Sequence, residues 1–138
     1  MSDEDSLIKT IDASRITDSR GDLFVLEEGE HLSFPIRRAY YIANTPQGVS
    51  RGFHAHKNLS QLAVCVSGSC RIVLDNGRKR EDVLLDDPGR ALLIGKYIWR
   101  EMHDFSPDCV LLVLADAPYD EADYIRDYEI FLKETAHG

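Results

Sequence analysis

The feature that most constrains the fold is a succession of short apolar runs separated by turn signals. "DLFVLEE", "RRAYYIA", "QLAVCVSG", "CRIVLD", "EDVLLD", "RALLIG" and "CVLLVLAD" are rich in Val, Ile, Leu, Tyr and Phe, which suit a pleated, half-buried surface, and most are too short for helices. Their spacing predicts an all-β sandwich or barrel. Asp75, Asn76 and Gly77 supply a hairpin turn between "CRIVLD" and "RKREDVLLD", because Asn and Gly accept the positive backbone angles of a tight turn between twisted strands. Pro88 and Gly89 mark another turn, and "NTPQG" at 44–48 marks a loop. The C-terminal part differs. In "YDEADYIRDYEIFLKET" the apolar residues Tyr124, Ile125, Tyr128, Phe131 and Leu132 recur at spacings of three and four, which predicts a short helix docked on the β body.

Nothing divides the chain. Its 138 residues show no repeat, linker or low-complexity tract, so a single domain over 1–138 is expected, large enough to bury a core without metal or disulfide staples. A formal net charge of -8 argues against general affinity for nucleic acid or anionic membrane, so an anionic ligand needs a local basic pocket. The start, "MSDEDSLIKT", has neither the positive region nor the apolar region of a signal peptide, and no run approaches membrane-spanning length. Cys65, Cys70 and Cys109 form no CxxC pair and two of them lie in apolar runs, the pattern of reduced thiols acting as small hydrophobes in the cytoplasm. In "QLAVCVSG", Leu62, Val64 and Val66 share one face and Ala63 and Cys65 the other, so neither face is clearly polar. A second copy of the chain covering the outer face is the expectation, with a buried central strand under the C-terminal helix as the alternative.

The motif that carries chemistry is "GVSRGFHAHKNLSQLAVCVSG". It runs Gly48, five residues, His54, Ala55, His56, four residues, Gln61, six residues, Gly68. Histidines at i and i+2 on a strand project from one face and converge on one point inside a barrel. The spacing resembles the first conserved motif of the cupin superfamily, small jelly-roll barrels also described as double-stranded β-helices. Metal-binding cupins carry Glu where this chain has Gln61, and a further His near the position of Trp99 and Arg100. A divalent ion needs several ligands and some negative charge, and a guanidinium is permanently cationic, so no metal is expected. A neutral imidazole can instead take a proton from a weak carbon acid and return it elsewhere.

A more specific resemblance runs nearly end to end. "DSRGDLFVLE", "PIRRAYYIANTPQGVSRGFHAHK", "QLAVCVSGSCRIVLDNG", "IWREMHDFSPDCVLLVLA" and "YDEADYIRDYEIFLK" resemble the dTDP-4-keto-6-deoxyhexose 3,4-ketoisomerases of the FdtA and QdtA type, in the WxcM-like group. The resemblance implies a homodimeric cupin acting on a dTDP-linked 4-keto-6-deoxy sugar without metal or redox cofactor. It moves the ketone from C4 to C3 through an enediol, with His54 and His56 as the proton-transfer pair. The absence of a Gly-rich dinucleotide fingerprint agrees with a reaction that only redistributes electrons within the sugar. Tyr40, Tyr41 or Gln61 are candidates to stabilise the developing enolate, and alternation lets only one of the two tyrosines reach the pocket. Arg51 and Arg100 are the first candidates for the diphosphate, because a guanidinium matches phosphate oxygens bidentately. Lys57 and Arg38 are weaker ones. Arg20 is a candidate through the resemblance, which implies that the N-terminal segment lies close to the sugar. Trp99 is a candidate to stack on the substrate or pack in the core, and Asp104 to orient a histidine or Arg100 or to begin a turn. His103 stands where relatives often have another aromatic residue, and Tyr124 and Tyr128 read as the packing face of the terminal helix. The alternatives are a 3,5-epimerase of the same 4-keto sugar, a non-catalytic sugar-binding cupin, and a metal-dependent cupin oxygenase.

Overall fold

A computed structural model describes residues 6–136. The described residues form twelve strands and one α-helix: Lys9–Asp12 (β1), Ser14–Asp18 (β2), Gly21–Val25 (β3), Arg38–Ala43 (β4), Arg51–His56 (β5), Gln61–Ser67 (β6), Cys70–Asp75 (β7), Arg80–Leu85 (β8), Arg90–Ile94 (β9), Trp99–His103 (β10), Val110–Ala115 (β11), Tyr124–Ile125 (β12) and Tyr128–Thr135 (α1). Two five-stranded antiparallel sheets, ordered β1-β9-β6-β11-β4 and β12-β5-β10-β7-β8, face each other, and β2 and β3 form a separate hairpin. This is an all-β sandwich, as the strand spacing predicts, with the jelly-roll form that the cupin resemblance implies.

Side-chain alternation builds the core. Ala63 and Cys65 of β6 and Leu111 and Val113 of β11 meet Cys70, Ile72, Leu74 and Met102 from the opposite sheet. The hairpin at Asn76 and Gly77 joins β7 to β8 as the sequence predicts, with Gly77 at φ 91°.

Two expectations change. The outward residues of β6, Leu62 and Val64, are covered by Leu32 together with Leu26 and Phe34 from the chain's own segment before β4. A strand apolar on both faces therefore does not by itself require a second copy, and the helix lies elsewhere. It packs Phe131 against Trp99, Ala55 and Ile125 on the outside of the other sheet. The helix predicted within 119–135 also starts later than its apolar spacing suggests. Asp127 adopts extended backbone and its carboxylate accepts the Ile130 N–H, a helix N-cap, so α1 starts at Tyr128. Before it, Glu121–Asp123 forms a 3-10 turn and Tyr124–Ile125 pairs with β5. Among the described residues no helix is long and apolar enough to cross a membrane.

Candidate active site

The site lies at the end of the barrel where β5, β10, β4 and β6 present polar residues inward. His54 and His56 share the inner face of β5, since Ala55 between them faces the helix. In the register with β10, His54 stands opposite Arg100, yet Arg51 stands opposite Met102. Three steps on β5 thus match two on β10, a β-bulge. Gly52 provides it at φ 81°, where a Cβ would press on the Met102 side chain at 3.0 Å. The bulge places Arg51 on the same side as His54, which plain alternation would not.

A cavity of about 580 Å³ opens here, bordered by Arg38, Tyr40, Arg51, His54, Tyr124 and Arg126 among others. Three guanidinium groups on its wall make a basic pocket on an acidic protein, the condition for binding a diphosphate. His54 is half-buried and borders this cavity. His56 does not. It is buried and borders a smaller recess of about 100 Å³, shared with Arg38 and Tyr124. The ring centroids of the histidines are 4.9 Å apart, and Tyr124 touches both, at 4.9 Å from His54 and 4.3 Å from His56.

Each buried polar group is held in a directed chain. His56 Nδ1 lies 3.0 Å from Asp123 Oδ2, and the other Asp123 oxygen accepts the Asn58 N–H at 2.7 Å. With the carboxylate accepting, His56 carries its proton on Nδ1 and keeps the Nε2 lone pair, which meets no partner among the described residues. Arg100 is fully buried. Its Nε and Nη2 donate to the Ile98 carbonyl and its Nη1 donates to Gln61 Oε1. That contact orients the amide, so Gln61 Nε2 donates to the Tyr40 hydroxyl oxygen at 3.0 Å. The hydroxyl of Tyr40 keeps its own proton to donate, and Tyr40 borders the cavity.

Electrostatics keep the histidines neutral. Burial and then the positive charge of Arg100 push His54 down to about 2. The same two effects push His56 down to about 4, with Asp123 opposing them. Burial raises Tyr40, so it stays protonated despite Gln61 and Arg100. Burial lowers Arg100 to about 10, which leaves it cationic near neutral pH. A metal ion between His54, His56 and Gln61 would face this charge, with the Gln61 oxygen already engaged.

Several candidates lie elsewhere. Arg100 serves Gln61 from beneath the cavity, and its buried donors are unavailable to a diphosphate. Trp99 packs on Tyr128 and Phe131 and donates to Glu101, a core role under the helix. Asp104 is an exposed loop residue at φ 54°, paired with Arg71. Lys57 borders neither the cavity nor the recess. Tyr41 is 71% exposed yet borders the cavity together with the more buried Tyr40, so the expectation that only one of the two tyrosines reaches it does not hold. His103 faces outward to Ser50 and Glu101. Arg20 sits at the tip of the β2–β3 hairpin, paired with Asp18 and away from the cavity.

Three site residues were not expected. Tyr124 enters through β12. Its ring carries the Arg126 guanidinium 4.1 Å from the centroid, a cation–π contact that Glu121 reinforces at 2.8 Å. Asp123, the partner of His56, is 67 residues away from it in sequence. The Asp-Tyr-x-Arg run was the available signal, hidden by its helical spacing.

The geometry has close relatives. The chain is 50% identical over 128 residues to the TDP-4-oxo-6-deoxy-alpha-D-glucose-3,4-oxoisomerase of Aneurinibacillus thermoaerophilus, covering 93% of this chain and 92% of that one. Among solved structures, it superposes with a TM-score of 0.90 on a 3,4-ketoisomerase from Helicobacter canadensis, at 43% identity over 94% of this chain and 97% of that one. It also superposes, with a TM-score of 0.92, on a histidine-to-asparagine mutant of the 3,4-ketoisomerase QdtA from Thermoanaerobacterium thermosaccharolyticum in complex with TDP-4-keto-6-deoxyglucose, at 39% identity over 94% of each chain. Residues 6–136 match the family described as FdtA, WxcM-like, C-terminal. The chain belongs to this family.

Proposed function

We propose that the chain is a 3,4-ketoisomerase that converts dTDP-4-keto-6-deoxy-D-glucose to a dTDP-3-keto-6-deoxyhexose. One observation carries the mechanism: a neutral histidine, His54, borders the basic cavity beside a tyrosine whose hydroxyl accepts from the Arg100–Gln61 chain and keeps its proton to donate. The C4 carbonyl acidifies the C3 proton, and His54 removes it. The electron pair forms the C3–C4 double bond, and charge moves to the C4 oxygen, where the Tyr40 hydroxyl donates a hydrogen bond. The C4 oxygen then takes up the 3-hydroxyl proton and protonated His54 returns a proton to C4, which leaves the ketone at C3, a hydroxyl at C4 and no net change in electrons. His56, held in one tautomer by Asp123, has its lone pair at Nε2 free for the second proton transfer. Arg38, Arg51 and Arg126 hold the diphosphate. The setting expected for this reaction is the cytoplasm, in keeping with the free buried thiols.

The assay is incubation with the 4-keto sugar in deuterated water, followed by NMR. A carbonyl at C3 with deuterium at C4 is expected. A carbonyl that stays at C4 with exchange at C3 and C5 indicates the epimerase reading instead, and no exchange indicates a binding protein.

The active unit is a homodimer. Ile16 and Leu23 pair across the β2–β3 hairpin and are 55% and 58% exposed, and a lone two-stranded hairpin is marginal in water. A second copy covering this face brings Arg20 at its tip toward the neighbour's cavity. Light scattering on the eluting protein is expected to give twice the chain mass, and Ile16→Asp with Leu23→Asp to give one chain mass. A wild-type monomer would refute the dimer.

A further inference from the structure

One cluster of reactive side chains takes no part in this reaction. Cys65 on β6, Cys70 at the start of β7 and Cys109 just before β11 are free thiols buried in the core. Cys65 Sγ is 3.4 Å from Cys70 Sγ and 3.7 Å from Cys109 Sγ. All three sulfurs lie within 4.8 Å of one another, and no other such grouping of potential metal ligands occurs among the described residues. Their apolar cluster includes Ile42, Ile72, Phe105 and Leu111.

The three sulfurs are close enough together to bind one atom in common. Charge then selects the bound atom. The side chains of that cluster are apolar and offer no cation to balance thiolate charge. A divalent zinc on three thiolates would leave negative charge in the apolar core and lack a fourth ligand, and monovalent copper would leave more. A trivalent centre leaves none.

The geometry points to Cys65, Cys70 and Cys109 as a binding site for trivalent arsenic. Arsenous acid condenses with three thiols. Three As–S bonds form, three As–OH bonds break, and each thiol proton leaves with a hydroxide as water. No oxidation state changes and the product is neutral. Entry requires only local opening of the surface turn that Cys109 closes by donating its N–H to the Ser106 carbonyl at 3.0 Å.

The test incubates the reduced full-length protein with arsenite, desalts it, measures arsenic per chain and reads the coordination by X-ray absorption alongside circular dichroism. One arsenic per chain bound by three sulfurs, with the native spectrum kept, is expected. Cys109→Ala is expected to retain at least tenfold less, because a two-thiol chelate dissociates faster. Oxygen coordination, two sulfurs, retention undiminished in Cys109→Ala, or three-sulfur binding only in protein that has lost its native spectrum would each overturn the assignment. If Cys109→Ala fails to fold, the sulfur count in the wild type decides alone.

Discussion

The two ends of the barrel are made by the same strands and carry opposite chemistry. The inner face of β6 begins at Gln61, among the arginine, the tyrosine and the histidines, and reaches Cys65 four residues later in an apolar setting. β11 returns antiparallel beside it, with Ala115 opposite Gln61 and Leu111 opposite Cys65. At the polar end each buried group depends on a specific neighbour: Arg100 on the Ile98 carbonyl and Gln61, Gln61 on Tyr40, His56 on Asp123. At the other end the thiols contact one another and hydrocarbon. Weak donors tolerate loss of a partner, whereas buried imidazole, amide and guanidinium groups do not. The difference teaches that a substitution at the polar end acts mainly through the groups it strands, and one at the thiol end mainly through volume.

The largest effect that tests this contrast belongs to His54. His54→Asn removes the proposed base and is expected to lower kcat by about a hundred- to ten-thousandfold with binding of the nucleotide sugar largely kept, as steady-state kinetics and calorimetry will show. Near-wild-type turnover would place the base elsewhere. Asp123→Asn comes next. It frees the tautomer of His56 and removes the carboxylate that favours its protonation, so a loss of about ten- to a hundredfold in kcat is expected, with any imidazole-dependent limb of the pH–rate profile moved to lower pH. An unmoved profile would make Asp123 a structural residue only.

Gln61→Glu probes direction. A carboxylate accepts from Arg100 but cannot donate to Tyr40, so the tyrosine proton turns back to the new acceptor. A drop of about tenfold in kcat with little change in KM is expected, since one well-placed donor to the developing charge is worth that or more. Unchanged kcat would remove Tyr40 from the chemistry.

Much of this arrangement was legible in the sequence. Alternation placed His54 and His56 on one face, and Asn76–Gly77 marked the hairpin. The depth of each residue was not legible. Arg100 has the chemistry of a phosphate ligand, but its burial commits its donors to Gln61 and the Ile98 carbonyl. Tyr124 and Arg126 were hidden because "DYIRDY" fits a helical period, and only the Asp127 cap moves the boundary past them. The polar strands "KTID" and "SRITD" lack apolar alternation, so periodicity had nothing to detect.

Acid distinguishes the ends without mutation. His54 and His56 have folded values of about 2 and about 4 against an ordinary value of 6.5. Above 6.5 both states leave them neutral, and the imidazoles contribute no pH dependence. As pH falls below 6.5 the unfolded chain binds protons that the folded chain refuses, so stability falls with pH, by both histidines down to about 4 and by His54 alone below it. Urea midpoints between pH 7.5 and 5 should therefore fall less in His54→Asn than in the wild type. Equal falls would mean that His54 is not held neutral by the fold.

The smallest effect is expected from Cys65→Ala. Removing one buried sulfur leaves a small void and costs about 1 kcal/mol, a few degrees in Tm for a domain of this size. No strong donor or acceptor loses its partner, because Cys70 and Cys109 still face each other and apolar side chains. Turnover should stay within about twofold of wild type, since the proposed catalytic groups are held by Arg100, Gln61 and Asp123, none of which touches the thiols through any hydrogen bond. A loss of turnover comparable to that of Gln61→Glu, at the same small cost in Tm, would show that β6 transmits packing changes from one end of the barrel to the other. The polar end would then depend on the volume of the apolar end, and not only on the partners its own groups keep.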